Sequence, residues 1–157
     1  MYCKRLTSLL DQVVEKYPQG VKEVFMNFPV KSHKYAETAA RAALAADKQG
    51  KFWEFHGKLF QNYNQLNDEK VREIAKELNL NMEQFEKDWQ AGETLTKVRS
   101  DIDQGSRIGV RGVPAVYING RQLKERSLEG FSKIIDKEMK KNSATSPYRP
   151  AVFKRND

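Results

Sequence analysis

Gly109-Val110-Arg111-Gly112-Val113-Pro114-Ala115-Val116-Tyr117-Ile118-Asn119-Gly120-Arg121-Gln122-Leu123 is the stretch that decides how this chain is read. Its glycines and proline break the helical pattern upstream. Ala115–Ile118 is apolar, β-branched and aromatic, which predicts a strand. Asn119-Gly120 tolerates positive φ at both positions. It predicts a two-residue hairpin turn, with Arg121–Leu123 as a short return strand. Val113-Pro114, at the mouth of the first strand, has two readings. One is an ordinary trans proline that opens the strand, cis being the rare isomer. The other is a cis proline whose preceding backbone groups face a thiol and pair with an extended peptide.

Downstream, Ser127 is placed to cap a final helix that buries Leu128, Phe131, Ile134, Ile135 and Met139. Residues 142–157 hold Pro147 and Pro150 with little periodicity and read as a flexible tail. Upstream, Leu6, Leu9, Leu10, Val13, Val14 and Tyr17 recur at helical spacing, predicting a helix over 2–16 that ends at Pro18 and Gly20. Val21–Phe28 is β-branched and aromatic between Gly20 and Pro29, which suggests a buried strand. Ser32 is positioned to cap an alanine-rich helix from about His33 to Gly50.

Four helices are predicted between 51 and 108. The first carries Phe52, Trp53, Phe55, Leu59, Phe60 and Tyr63. The second starts at Asn67-Asp68-Glu69, with carboxylates where the helix dipole favours them. The third is capped by Asn81, and the fourth runs from Glu93 to Ile108 through Leu95, Val98 and Ile102. They read as an insertion with its own small core. The alternation of helices and strands implies an α/β fold, a sheet covered by helices.

Composition sets outer limits. The 157 residues are 39% apolar and 31% charged, a globular rather than a disordered balance. Twenty-eight basic and 21 acidic residues give a net charge of +7. This modest excess favours acidic partners, but basic and acidic residues alternate and no nucleic-acid motif is present, so no nucleic-acid partner is expected. One cysteine, Cys3, excludes an intrachain disulfide scaffold. No apolar run reaches membrane-spanning length. The opening Tyr2-Cys3-Lys4-Arg5 shows no signal peptide.

Cys3 opens the first helix. Free N–H groups and the positive dipole end there stabilise a thiolate, and Lys4 and Arg5 add positive charge. The alternative is a buried, unreactive cysteine with two solvated basic neighbours. His33, His56 and Cys3 match no zinc spacing, so no metal is expected. Asp47, Glu54 and Asp68 show no paired-carboxylate pattern. The aromatic cluster of 52–60 reads as core rather than as a ligand site.

Taken together, these features resemble the DsbA-like branch of the thioredoxin-fold oxidoreductases. The carriers are Cys3 at a helix start, Phe28-Pro29-Val30 followed by His33, Gly50-Lys51-Phe52-Trp53-Glu54-Phe55-His56, Gly109–Pro114 and the Asn119-Gly120 hairpin. The resemblance covers about residues 2–140. It implies a thioredoxin-like part at 1–50 and 109–141, with an inserted helical domain at 51–108. It also implies disulfide exchange on protein or peptide thiols, no cofactor, and a periplasmic or otherwise extracytoplasmic full-length parent. Substrate contacts fall on Tyr2, Gly112, Val113 and Pro114.

The departure from the family pattern is at the motif itself. Members carry Cys-Pro-Tyr-Cys or a close variant, whose first cysteine attacks and whose second resolves the mixed disulfide. Tyr2-Cys3 matches the tail of that motif, so Cys3 takes the resolving position and the attacking cysteine is missing. The chain is expected to be truncated there, to lack the fold's N-terminal strands, and to be inactive as a dithiol enzyme. The incomplete sheet is expected to close up, to share a strand in a homodimer, or to take Ala151-Val152-Phe153 as a strand. Two other functions remain open. One is a non-catalytic peptide-binding module. The other is a monothiol, glutathione-linked enzyme.

Overall fold

The computed structural model describes residues 2–145, and the side chains of residues 3–141. Seven helices and one hairpin follow in order: α1 Tyr2–Lys16, α2 Ala36–Asp47, α3 Phe52–Gln61, α4 Asp68–Glu77, α5 Met82–Gln90, α6 Gly92–Arg107, β1 Tyr117–Ile118, β2 Arg121–Gln122 and α7 Leu128–Thr145. The chain divides into two compact units, one of Met26–Val113 and one of Met1–Phe25 with Pro114–Asp157.

The unit Met26–Val113 is helical. Its core joins Ala42, Ala45 and Ala46 of α2 to Phe55 and Leu59 of α3, Val71 and Ile74 of α4, and Phe85 and Trp89 of α5. Alanines let α2 sit close to its neighbours, so the compact unit reaches back past residue 51 and takes α2 in. Three residues past the end of α2, Gly50 takes a φ of +71°, which permits the Lys51 N–H to reach the Ala46 carbonyl at 2.9 Å. The expected helix start at Asn67 and the expected cap at Asn81 both hold in this unit. Asn67 Oδ1 accepts from the Lys70 N–H at 2.7 Å, and Asn81 Oδ1 accepts from the Gln84 N–H at 3.0 Å.

The other unit packs α1 on α7 around the hairpin. Val13, Leu123, Phe131 and Ile135 are its buried centre, with Leu6, Leu9, Leu10 and Ile134 half-buried around them. Lys16 Nζ donates to Ser132 Oγ at 2.8 Å and Tyr17 Oη donates to Asp136 Oδ1 at 2.8 Å, tying the end of α1 to α7. Tyr117 pairs with Gln122 and Ile118 with Arg121 in antiparallel register. Asn119 and Gly120 take φ of 48° and 79°, the double positive turn expected of this dipeptide. Ser127 Oγ accepts from the Gly130 N–H at 3.0 Å, which confirms the cap on α7.

Five readings are corrected. Val21–Phe28 forms no strand, and Val24, Phe25 and Met26 are exposed. A β-rich composition fits a pleated, half-buried surface, but a strand also needs a neighbour, and the described ladder joins only β1 and β2. Ser32 caps nothing: α2 begins three residues past His33, after turns in which the His33 N–H bonds to the Val30 carbonyl and the Ala36 N–H to the His33 carbonyl. The buried face of α6 is Thr94, Val98, Asp101 and Gly105, with Leu95 and Ile102 only half-buried. Met139 is exposed rather than core. Helix α7 runs on to Thr145, past the expected tail start at 142. Residues 146–157, including the 151–153 segment, lie outside the described residues.

Candidate active site

Cys3 sits in the first turn of α1. The helix forms because its apolar residues share one stripe, and that stripe is pinned to α7 by Val13, Phe131 and Ile135. Thr7 Oγ1 donates to the Cys3 carbonyl at 3.2 Å, one turn along. The thiol is half-buried. Burial pushes it above the ordinary cysteine value, against the opposing pull of the Arg126 guanidinium. Between the two sequence readings of Cys3, the balance therefore falls on the shielded thiol rather than on a ready thiolate. The helix end alone does not offset the loss of solvent.

The remaining sequence-predicted residues fall as follows. Tyr2 shares the first turn of α1 with Cys3. Pro114 is half-buried and belongs to the same compact unit. Gly112 and Val113 are exposed and close the helical unit. The loop before them is set locally: the Val110 N–H bonds to the Gly105 carbonyl at 2.9 Å where α6 ends. Among the described residues, no three His, Cys, Asp or Glu side chains gather as a metal site. No helix there is long and apolar enough to cross a membrane.

Two features escaped sequence reasoning. Arg126 acts on Cys3 electrostatically from the segment before α7. No local pattern links residues so far apart in the chain. The second is Asp101, which is 1% exposed. Its Oδ2 accepts from the Asn27 backbone N–H at 3.0 Å and from Asn27 Nδ2 at 2.9 Å. Lys97 pairs with its other oxygen. One turn on, Gly105 leaves room for the Phe28 ring, which would lie 3.0 Å from an added Cβ. Asp101 and Gly105 thus hold Asn27 and Phe28 on α6. Asp101 stands three residues after buried Val98, a spacing that marks it as inward-facing despite its charge.

His56 is buried beside the rings of Phe52 and Phe60, at centroid distances of 5.5 and 4.7 Å. Burial lowers its pKa to about 4, so it is neutral at physiological pH. It belongs to the helical core, as does the surrounding aromatic cluster.

Comparison with known proteins places this arrangement. Residues 2–136 match the model of the DSBA-like thioredoxin domain. The "Probable disulfide bond formation protein D" of Bacillus anthracis is 34% identical over 144 residues, which cover 85% of this chain and 66% of that protein. The chain thus spans a little under two thirds of that relative's length. The thioredoxin-like oxidoreductase of Silicibacter pomeroyi DSS-3 superposes with a TM-score of 0.76 at 26% identity, over 88% of this chain and 80% of that one. The thiol-disulfide exchange protein alpha-DsbA2 of Wolbachia pipientis superposes at 0.75 with 20% identity, over 87% and 74%, a likeness of fold. The chain therefore belongs to the DSBA-like thioredoxin domain family of thiol–disulfide oxidoreductases and has that family's fold.

Proposed function

We propose that this chain carries the resolving half of a DsbA-like disulfide-exchange site, with Cys3 as the resolving thiol. The observation that supports this most is the environment of Cys3: the first turn of α1, half-buried, its thiol raised by burial. A thiol that stays protonated until a mixed disulfide is presented suits the second step of the cycle. In the reductive direction, an attacking thiolate bonds to one sulfur of a substrate disulfide and expels the other, which takes up a proton. Cys3 Sγ then loses its proton, bonds to the attacking cysteine's sulfur and expels the second substrate thiolate. Two electrons pass to the substrate, and the site is left as a disulfide.

These 157 residues hold one cysteine, so the attacking thiol has to come from outside them. By themselves they do not turn over as a dithiol enzyme. Protein or peptide thiols and disulfides are the partners, and Tyr2, Gly112, Val113 and Pro114 contact their extended backbone. The thioredoxin-like part spans 1–50 and 109–141 around an inserted domain at 51–108. The protein works outside the cytoplasm, as DsbA relatives typically do. An insulin-reduction assay with dithiothreitol tests the reading. Wild type and Cys3→Ser should both show negligible acceleration, and a chain supplied with Cys-Pro ahead of Tyr2 should accelerate the reaction in a Cys3-dependent way. Substantial turnover by the 157-residue chain, lost in Cys3→Ser, would contradict it.

The exposed apolar side chains of Val24 and Met26 favour a second reading, a non-catalytic module that dimerises with a second copy of itself. Light scattering at high protein concentration tests it, and a strictly monomeric chain would remove it.

A further inference from the structure

The helical unit holds a cleft of about 180 Å³ lined by Thr38, Arg41, Asp68, Arg72, Trp89 and Gln90. Its two guanidinium groups are provided for very differently. Arg72 lies over the Trp89 ring at 5.2 Å and donates from Nε to Glu86 Oε1 at 2.7 Å. Asp68 and Glu69 also act on it electrostatically. Arg41 is half-buried, and its one described partner is neutral: Nε donates to Thr94 Oγ1 at 3.3 Å. That bond fixes the plane of the fork from its inner edge. The terminal amino groups of Arg41 meet no carboxylate among the described residues. A partly desolvated guanidinium, oriented but without a counter-charge, is built for an anion that accepts two parallel hydrogen bonds. Asp68, also in the lining, disfavours a doubly charged phosphate. Thr38 and Gln90 line the same cleft, and a hydroxyl and an amide are side-chain groups that match the polar atoms of a peptide unit.

We infer that this cleft binds a carboxylate carried on a peptide unit, with Arg41 as the recognising side chain and Trp89 in its wall. The carboxylate belongs either to a chain terminus or to a Glu or Asp side chain, and both present the same two oxygens to Arg41. The site lies wholly within Met26–Val113 and does not depend on the thiol chemistry proposed above.

The Trp89 indole offers a direct reporter, since its Nε1–H donates to the Thr38 carbonyl at 3.0 Å on the cleft wall. Titrating the full chain with N-acetylglycine and, separately, with N-acetylglutamic α-amide should move the Trp89 indole resonance saturably in a ¹H–¹⁵N spectrum. The Trp53 indole should stay still. The first probe stands for a chain terminus, the second for an acidic side chain, and the one that binds more tightly identifies the source. Arg41→Gln should weaken binding by about tenfold or more. Arg41→Lys keeps the charge and stem without the fork, and should lose most of the same affinity at unchanged Tm. No saturable shift with either probe would overturn the inference. So would a shift that survives both substitutions, or an equal shift with glycinamide, which has no carboxylate.

Discussion

The two units of this chain are built on different principles. In Met26–Val113, α2 is the hub on which α3, α4, α5 and α6 pack, and the core is gathered from α2–α5 in succession, its longest described bond spanning 74 positions. In the other unit, α1 meets α7 from opposite ends of the chain, with a hairpin of two-residue strands between them. The bond between Lys16 and Ser132 spans 116 positions. Contacts over tens of positions hold the first unit and closure over more than a hundred holds the second, which adds loop-closure entropy to its formation. The helical unit should therefore be the more robust of the two, and its dense core the place where a single change costs most.

The largest expected effect tests that contrast. Phe85 is fully buried between Phe55 and Trp89, at centroid distances of 5.6 and 5.7 Å. Phe85→Ala should cost about 3–5 kcal/mol by urea unfolding. Hydrogen exchange should show the loss of protection concentrated in α2–α5. Equal loss in α1 and α7 would mean that the two units unfold as one.

A somewhat smaller effect is set by pH. His56 has its pKa lowered to about 4 in the folded state against 6.5 unperturbed, so the unfolded chain binds the proton more readily. Stability is lost as pH falls from about 6.5 towards 4, by up to about 3 kcal/mol. His56→Leu should flatten that slope in the helical unit. A slope unchanged by the substitution would place the titration elsewhere.

The smallest effect concerns the entry to the helical unit. Asp101→Ala leaves the buried Asn27 N–H without its carboxylate, and should cost about 1–3 kcal/mol. It should also speed exchange of the Asn27 amide selectively. Unaltered exchange there would show that the segment is held by Phe28 on Gly105 alone.

The same contrast explains what was legible in the sequence. All seven described helices follow from apolar spacing, alanine propensity and local punctuation such as Asn67, Asn81 and Ser127. The Asn119-Gly120 turn follows from backbone sterics alone. Each signal lies within a few residues of its effect. Val21–Phe28 misled because strand formation is decided by a partner that propensity does not register. Ser32 misled because a capping side chain was present without a helix beginning beside it. Asp101 was overlooked because a charged residue on a polar helix reads as solvated, whereas the buried Asn27 backbone makes it part of the interior. At the candidate site, the position of Cys3 was legible but its ionisation was not, since burial and Arg126 depend on tertiary packing.

The central claim concerns the character of that sulfur, and the pH dependence of Cys3 alkylation by iodoacetamide tests it most directly. If the thiol is the shielded member of its pair, the rate should rise with a midpoint above 9.0, the unperturbed value. A midpoint near neutrality or below would show an activated thiolate and contradict the assignment of Cys3 to the resolving role.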